Sequence, residues 1–384
     1  MTKTTDVAII GGGVIGAIIA YNLALRGISC TLFEKDRFAS SASGATGGII
    51  GPIWYVDRTI APYWDMAMRS FERFPQLTAD LREAGIDPEY RQNGVMKVAL
   101  TEELHATLRS NLAWQENLGI GVHWIGREEL LERETEISPA AQGAVYSPQE
   151  GNVKGRAFVQ SLINASNNLG ATCLEQTEVT SFEITGSRIV GLKTMTDTYH
   201  TNQVVLAAGA WTGLTNRWLQ EPIPVRPIKG QRVTLRMPGF HPYCPVQSIV
   251  PQMDGTFLSC ATREDGEFNH KITAAAIRQM VDNAIATFPI LKCAEFVSAE
   301  AGVRPGSPDG MPVLGPIPGW QGVSVASGHD HVGMILSPRT GEMMADYIES
   351  GDSSPLDFFS IERFTDGRIQ HQPKTLFSNI AYDR

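Results

Sequence analysis

The first thirty-odd residues set apolar runs against small residues in an order that points to one local arrangement. Residues 6–10 (DVAII) predict a strand, residues 11–16 (GGGVIG) a glycine turn, residues 15–26 a helix by their period, and residues 30–34 a second strand. This is a βαβ unit, and it predicts a parallel sheet. Helical period returns at residues 69–84, 102–117 and 155–169, between β-rich runs such as residues 95–100 and 204–207. Within residues 225–260 the pattern changes to strand-like runs broken by Pro and Gly (232–236, 249–251 and 256–261), which predict an antiparallel sheet. The chain then closes on a strand at 323–326, a Gly-rich turn and a helix over about 333–349. The expected class is α/β (α+β), with a Rossmann-like cofactor domain built from both chain ends around an inserted substrate domain. The expected boundaries are 1–85, 146–222 and 300–384 for the cofactor domain, and 86–145 and 223–299 for the antiparallel-sheet substrate domain.

A chain of 384 residues is long enough for two domains, and 42% apolar with 19% charged residues is ordinary globular composition. The net charge of -9 argues against nucleic acid and anionic lipid as partners and favours small-molecule chemistry. The uncharged stretch at residues 7–25 has the length of a membrane span. Its glycines and Asn22 fit a strand, turn and helix better, so no membrane span is expected and the protein reads as soluble and cytoplasmic. The cysteines Cys30, Cys173, Cys244, Cys260 and Cys293 lie far apart without a C-x-x-C pair and read as reduced, buried thiols.

Gly11, Gly13 and Gly16 match G-x-G-x-x-G directly after a strand and before a helix, the context that makes this motif a dinucleotide site. Gly11 permits the turn, Gly13 the approach of backbone to a pyrophosphate, and Gly16 close helix–strand packing. Glu34, at the end of the second strand, stands where a carboxylate accepts ribose hydroxyls. NAD and FAD both fit this unit. The run Ser41, Ser43, Gly44, Ala45, Thr46, Gly47 and Gly48 favours the more extended FAD, because small residues let backbone lie along a cofactor.

These features, together with SASGATGGIIGP, VVLAAGAWTG, PIKGQ, GVRPGSPDGMPVLGP and GHDHVGMILSPRTGEMMADYI, resemble the D-amino-acid-oxidase-like FAD oxidoreductases over nearly the whole chain, and among them most closely the glycine oxidases. The resemblance implies noncovalent FAD held by Gly11, Gly13, Val14, Ile15, Gly16, Glu34, Lys35, Ala42, Ser43, Gly47, Gly48, Ile49, Val179, Ala208 and Gly209. It adds the turn His329, Asp330, His331, Val332, Gly333, Met334 and Ile335. A helix starting near Gly333 also presents a positive dipole end, suited to the charge of a reduced flavin. For the reacting centre the resemblance implies Arg304, His331, Ser248, Gly48 and Ile50. Arg304 matches an arginine that grips an amino-acid carboxylate; the alternative is a structural arginine capping Asp309.

Two positions depart from the glycine-oxidase pattern: Ser248 replaces a tyrosine before I-V-P, and His331 replaces a second arginine. A histidine there suits a substituted amine or a larger polar group. The histidine form of this turn also resembles flavin subunits of amine and opine dehydrogenase complexes, so a hetero-complex as well as a homo-oligomer stays open. The adjacent His329, Asp330 and His331 are not spaced to converge on a metal, and none is expected. Trp54, Tyr55, Tyr63 and Trp64 form either a lid or core. Lys229 lies near the flavin or faces solvent, the commoner fate of a lone lysine. The implied reaction is hydride transfer from an amine α-carbon to flavin N5, leaving an imine that water hydrolyses, with O2 or another electron acceptor taking the electrons onward.

Overall fold

The computed structural model describes residues 2–365; residues 366–384 of the expected cofactor domain lie outside the described residues. Val7–Ile10 runs through a six-stranded sheet in the order Val313–Pro316, Val323–Ser327, Gln203–Leu206, Val7–Ile10, Cys30–Phe33, Thr172–Leu174. All neighbours are parallel except Val313–Pro316 against Val323–Ser327. Both faces of this sheet are covered, which is why its strands read as unbroken apolar runs. Ile9 and Leu32 point into a core shared with the helices Val14–Leu25, Ala61–Glu83, Gly155–Asn168 and Gly333–Ser350. Ala8, Ile10 and Phe33 point the other way, onto a second sheet of Thr2–Thr4, Thr198–His200, Arg188–Thr194 and Val179–Thr185.

The antiparallel body is organised on one long pair, Arg226–Arg236 against Glu295–Gly306. Thr256–Cys260 and Glu264–Asp265 pair with the other edge of Arg226–Arg236, and Ile249–Pro251 follows outside Thr256–Cys260. Val95–Val98, Gly143–Ser147 and His123–Gly126 join this body through a bridge between Met96 and Val246. The helix Ala274–Thr287, capped by the Thr273 hydroxyl, packs Met280 and Ala284 into its core beside Phe257 and Phe288. Two expected boundaries, at 145/146 and 299/300, fall inside the strands Gly143–Ser147 and Glu295–Gly306.

Several expectations are corrected here. The helix expected over 69–84 starts at Ala61, since Tyr63, Met66, Ala67, Ser70 and Phe71 already share one buried face. Trp54 is a core residue, Tyr63 is buried in the same core and also lines the cavity described below, and Trp64 packs edge-on against Trp114. Lys229 is buried: its strand register places it opposite Glu264, which it pairs at 2.9 Å. Of the five free cysteines only Cys30 and Cys244 are buried; Cys173 and Cys260 are half-buried and Cys293 is exposed. No helix among the described residues is long and apolar enough to cross a membrane.

Candidate active site

One cavity of about 660 Å³ runs from the glycine turn to the antiparallel sheet, within the roughly 300–1,000 Å³ usual for small-molecule and cofactor sites. At its first end a Cβ on Gly16 would lie 1.9 Å from the Gly11 carbonyl oxygen, so the helix meets the turn only because position 16 is bare. Gly11, Gly13, Val14 and Ile15 line the cavity, whereas Gly16 stands behind them. Glu34 also lines it, its two oxygens accepting N–H bonds from Gly12 (2.7 Å) and Asp36 (2.8 Å). Burial raises the Glu34 pKa against the pull of those two donors. The Ser43 hydroxyl accepts from Val14 N at 3.0 Å, tying the small-residue run to the start of the helix.

That run is held from the far side as well. Arg232 donates to the carbonyls of Thr46 and Gly44, both at 3.1 Å, and pairs with Glu300 at 2.7 Å. Lys35, Ala42, Ser43, Gly47, Gly48, Ile49, Val179, Ala208 and Gly209 all line the cavity. Ile50 does not: Ile49 and Ile50 form a two-residue strand, so their side chains point to opposite faces, and Ile50 is fully buried in the core. Val332 is likewise a core residue, while His329, Asp330, His331, Gly333, Met334 and Ile335 line the wall. His329 is buried, its Nε2 bonded to the Thr340 hydroxyl at 3.1 Å. Burial pushes its pKa down to about 3. A cavity walled by glycine backbone, with a half-buried carboxylate on its wall and a turn that a Cβ at position 16 would close, fits a dinucleotide.

At the other end, Arg304 extends from Glu295–Gly306, and its Nη1 donates to the Thr262 carbonyl at 3.0 Å. Its guanidinium lies over Gly230, where a Cβ would approach Nη2 to 2.3 Å. No carboxylate among the described residues stands within ion-pair distance of Arg304, and burial lowers its pKa even against the nearby Asp330. Asp309, the alternative partner, is taken instead by Arg363 at 2.7 and 3.0 Å. Asp330 is held bidentately by Arg263 at 2.8 and 2.9 Å, with His331 Nδ1 at 3.4 Å. Burial would raise the Asp330 pKa, but hydrogen bonds and charge from His331 and Arg263 outweigh it and hold the group well below the usual carboxylate range. The Asp330 carboxylate accepts at 3.4 Å from His331 Nδ1, which places a proton on that ring nitrogen.

Ser248 lines the same end, beside Tyr55, which the sequence left between lid and core, and two side chains that the sequence reading did not place there, Lys97 and Arg263. Lys97 Nζ donates to the Gln247 carbonyl (3.0 Å) and to the Tyr55 hydroxyl (3.1 Å). Burial lowers its pKa to about 8, with Glu150 opposing the shift. One signal could have found it, a single cation inside the apolar run VMKVAL.

The comparisons with known proteins agree with this geometry. Glycine oxidase of Geobacillus kaustophilus is 34% identical over 371 residues, 94% of this chain and 98% of that protein. The hydrogen cyanide synthase subunit HcnC of Pseudomonas aeruginosa is 30% identical over 413 residues, 97% of this chain and 98% of that one. The crystal structure of the Geobacillus kaustophilus glycine oxidase superposes with a TM-score of 0.87 at 33% identity, covering 94% of this chain and 99% of that one. The FAD dependent oxidoreductase (DAO) family matches residues 6–347. The choice between NAD and FAD thus falls to FAD, and this chain is an enzyme of the FAD dependent oxidoreductase family.

Proposed function

We propose that the enzyme oxidises the C–N bond of a small amino acid or N-substituted amine, such as a glycine-, sarcosine-, proline- or D-amino-acid-like molecule. The products would be an imine, hydrolysed to an oxo acid, and hydrogen peroxide from dioxygen. The observation that carries this reading is Arg304, a cavity-wall guanidinium with no carboxylate partner among the described residues. Such a group recognises a carboxylate through paired N–H donors.

FAD, when bound, supplies the two-electron acceptor. The residues that would hold it are the cavity-lining glycine turn, Glu34, Lys35, Ala42, Ser43, the stretch from Gly47 to Ile49, Val179, Ala208, Gly209 and the wall of the turn at 329–335. Arg304 fixes the substrate carboxylate and thereby the position of its α-carbon. His331, tied to Asp330 through Nδ1, lines the wall at the amine end of the substrate. Ser248 is short and leaves room for an N-substituent.

A second reading is favoured by one relative, the cyanide synthase subunit: the chain would be the flavin-bearing member of a complex that passes electrons to another acceptor. The purified holoenzyme, mixed without oxygen with glycine, sarcosine, proline and D- and L-amino acids, tests both. Bleaching of the flavin absorbance by one member, with peroxide formed on admitting air, is the expected result. Bleaching followed by slow reoxidation in air supports the complex, and no bleaching by any member refutes oxidation of small amino acids.

A further inference from the structure

A loop of the antiparallel body also reaches the cofactor wall. Between the strand Glu264–Asp265 and the helix Ala274–Thr287, residues 266–273 carry no regular structure. Gly266 opens the segment at φ 109°, with nothing within 4 Å of where its Cβ would stand, and Thr273 closes it as the cap of the helix. Both ends are tied to the body's own sheet: Gly266 N donates to the Pro227 carbonyl at 3.2 Å, and Thr273 N to the Gln231 side chain at 2.8 Å. Among the described residues no backbone N–H of residues 267–272 bonds to a backbone carbonyl, so side chains hold the stretch between the ties.

Two of those side chains reach the other body. His270 Nε2 and the Ser41 hydroxyl are hydrogen-bonded at 3.1 Å, and Val303 N donates to the same hydroxyl oxygen at 3.1 Å. The His270 ring lies 21° from the plane of Trp211 with centroids 6.4 Å apart, and Phe268 packs on the same indole at 5.5 Å. Lys35 Nζ lies 4.6 Å from the Trp211 ring centroid. Ser41 directly precedes Ala42 and Ser43, Trp211 lies just beyond Gly209, and Lys35 follows Glu34, so the segment is fastened to the wall that would hold FAD. His270 is exposed and also lines the cavity, which puts it at the rim. Phe268, 40% exposed, is not part of the lining.

We propose that residues 266–272 are a strap that closes the cofactor end of the cavity, fastened by His270 to Ser41 and by His270 and Phe268 to Trp211, and that FAD enters and leaves when it is unfastened. An irregular segment with two fixed ends, held between them by a hydrogen bond and ring contacts, opens without disturbing either sheet. The fastenings join protein groups to one another, so they oppose opening whether or not the cofactor is bound. Weakening them speeds uptake and release alike and leaves the affinity nearly unchanged. Loss of a residue that merely touches FAD speeds release alone.

The test times both directions. The holoenzyme is chased with excess isotope-labelled FAD to follow release, and the flavin-stripped protein is mixed with FAD to follow uptake by flavin fluorescence. His270→Ala, which loses a hydrogen bond and a ring contact, is expected to speed both about tenfold, and Phe268→Ala about threefold. The FAD dissociation constant should stay within about twofold of wild type, and the holoenzyme Tm close to it. Phe268 lies outside the lining, so release from the Phe268→Ala holoenzyme decides the matter even where the stripped protein does not take FAD back. Wild-type release in both variants would overturn the proposal. Faster release in His270→Ala with uptake unchanged would also overturn it, making His270 an ordinary cofactor contact.

Discussion

Gly230→Ala moves Arg304 without altering its charge, and so separates where the guanidinium stands from what it is. The added Cβ would lie 2.3 Å from Nη2, 2.6 Å from Cζ and 2.9 Å from Nη1, whereas ordinary contact begins near 3.4 Å. The guanidinium must therefore shift by about 1 Å, a displacement that in a reacting site can cost up to about a hundredfold in rate. The backbone at Gly230 is not in the left-handed region, so alanine brings no conformational strain. The clash is with the end of a flexible side chain, and the fold is expected to survive. Arg304→Met sets the lower bound. Losing charge-assisted hydrogen bonds worth about 1.5–3 kcal/mol should cut kcat/KM roughly ten- to hundredfold, with FAD retained. Gly230→Ala should fall between wild type and Arg304→Met in kcat/KM, with a flavin spectrum and Tm close to wild type. An unchanged kcat/KM in Gly230→Ala would refute the placement of Arg304 on the substrate.

Three further outcomes follow from the ionisable groups. Burial pushes Glu134 up to about 7 from 4.5, against the opposing Tyr243 N–H at 2.9 Å. Between those values the folded chain keeps a proton that the unfolded chain has lost, so this group makes stability fall as pH rises from about 4.5 through about 7. Glu134→Gln should flatten that slope and, above pH 7, stabilise by up to about 3 kcal/mol, read from urea denaturation across that range. Arg363→Met strands the buried Asp309 without its bidentate partner and should cost about 3–5 kcal/mol, part of it recovered by adding Asp309→Asn; no recovery in the double variant would show that Arg363 acts through packing alone. Glu34→Ala leaves the N–H groups of Gly12 and Asp36 without their acceptor at the cavity wall; the flavin-to-protein absorbance ratio after gel filtration should drop, and full retention would remove Glu34 from the cofactor site.

The cofactor end was legible because its recognition is local. A strand, a bare turn and a helix must follow one another within a few residues, and steric limits admit only glycine at the contacts, as at Gly16 against the Gly11 carbonyl. The short strand Ile49–Ile50 marks where that reading stopped: family resemblance placed both residues at the site, but the alternation of a strand sends one to the cavity and the other to the core. Lys229 failed for a related reason. Exposure was the better expectation for a lysine until strand register set it opposite Glu264, and register is not written in either segment alone.

The substrate end is non-local, and there the sequence speaks through what is missing. Arg304 was identifiable by type and motif, yet its orientation depends on Gly230 in the facing strand, two residues beyond its register partner Ile228. The lost phenol at 248 and the lost arginine at 331 could be read as absences. What stands beside them was less legible: Tyr55, left between lid and core, comes from a four-residue helix with too few positions to show a period, and Lys97 from a different sheet strand. They meet only because the three-stranded sheet docks on the antiparallel body at Met96 and Val246, which carries Lys97 to the carbonyl of Gln247. The contents of this end of the cavity are thus set by how two sheets dock, which no single segment of the sequence encodes.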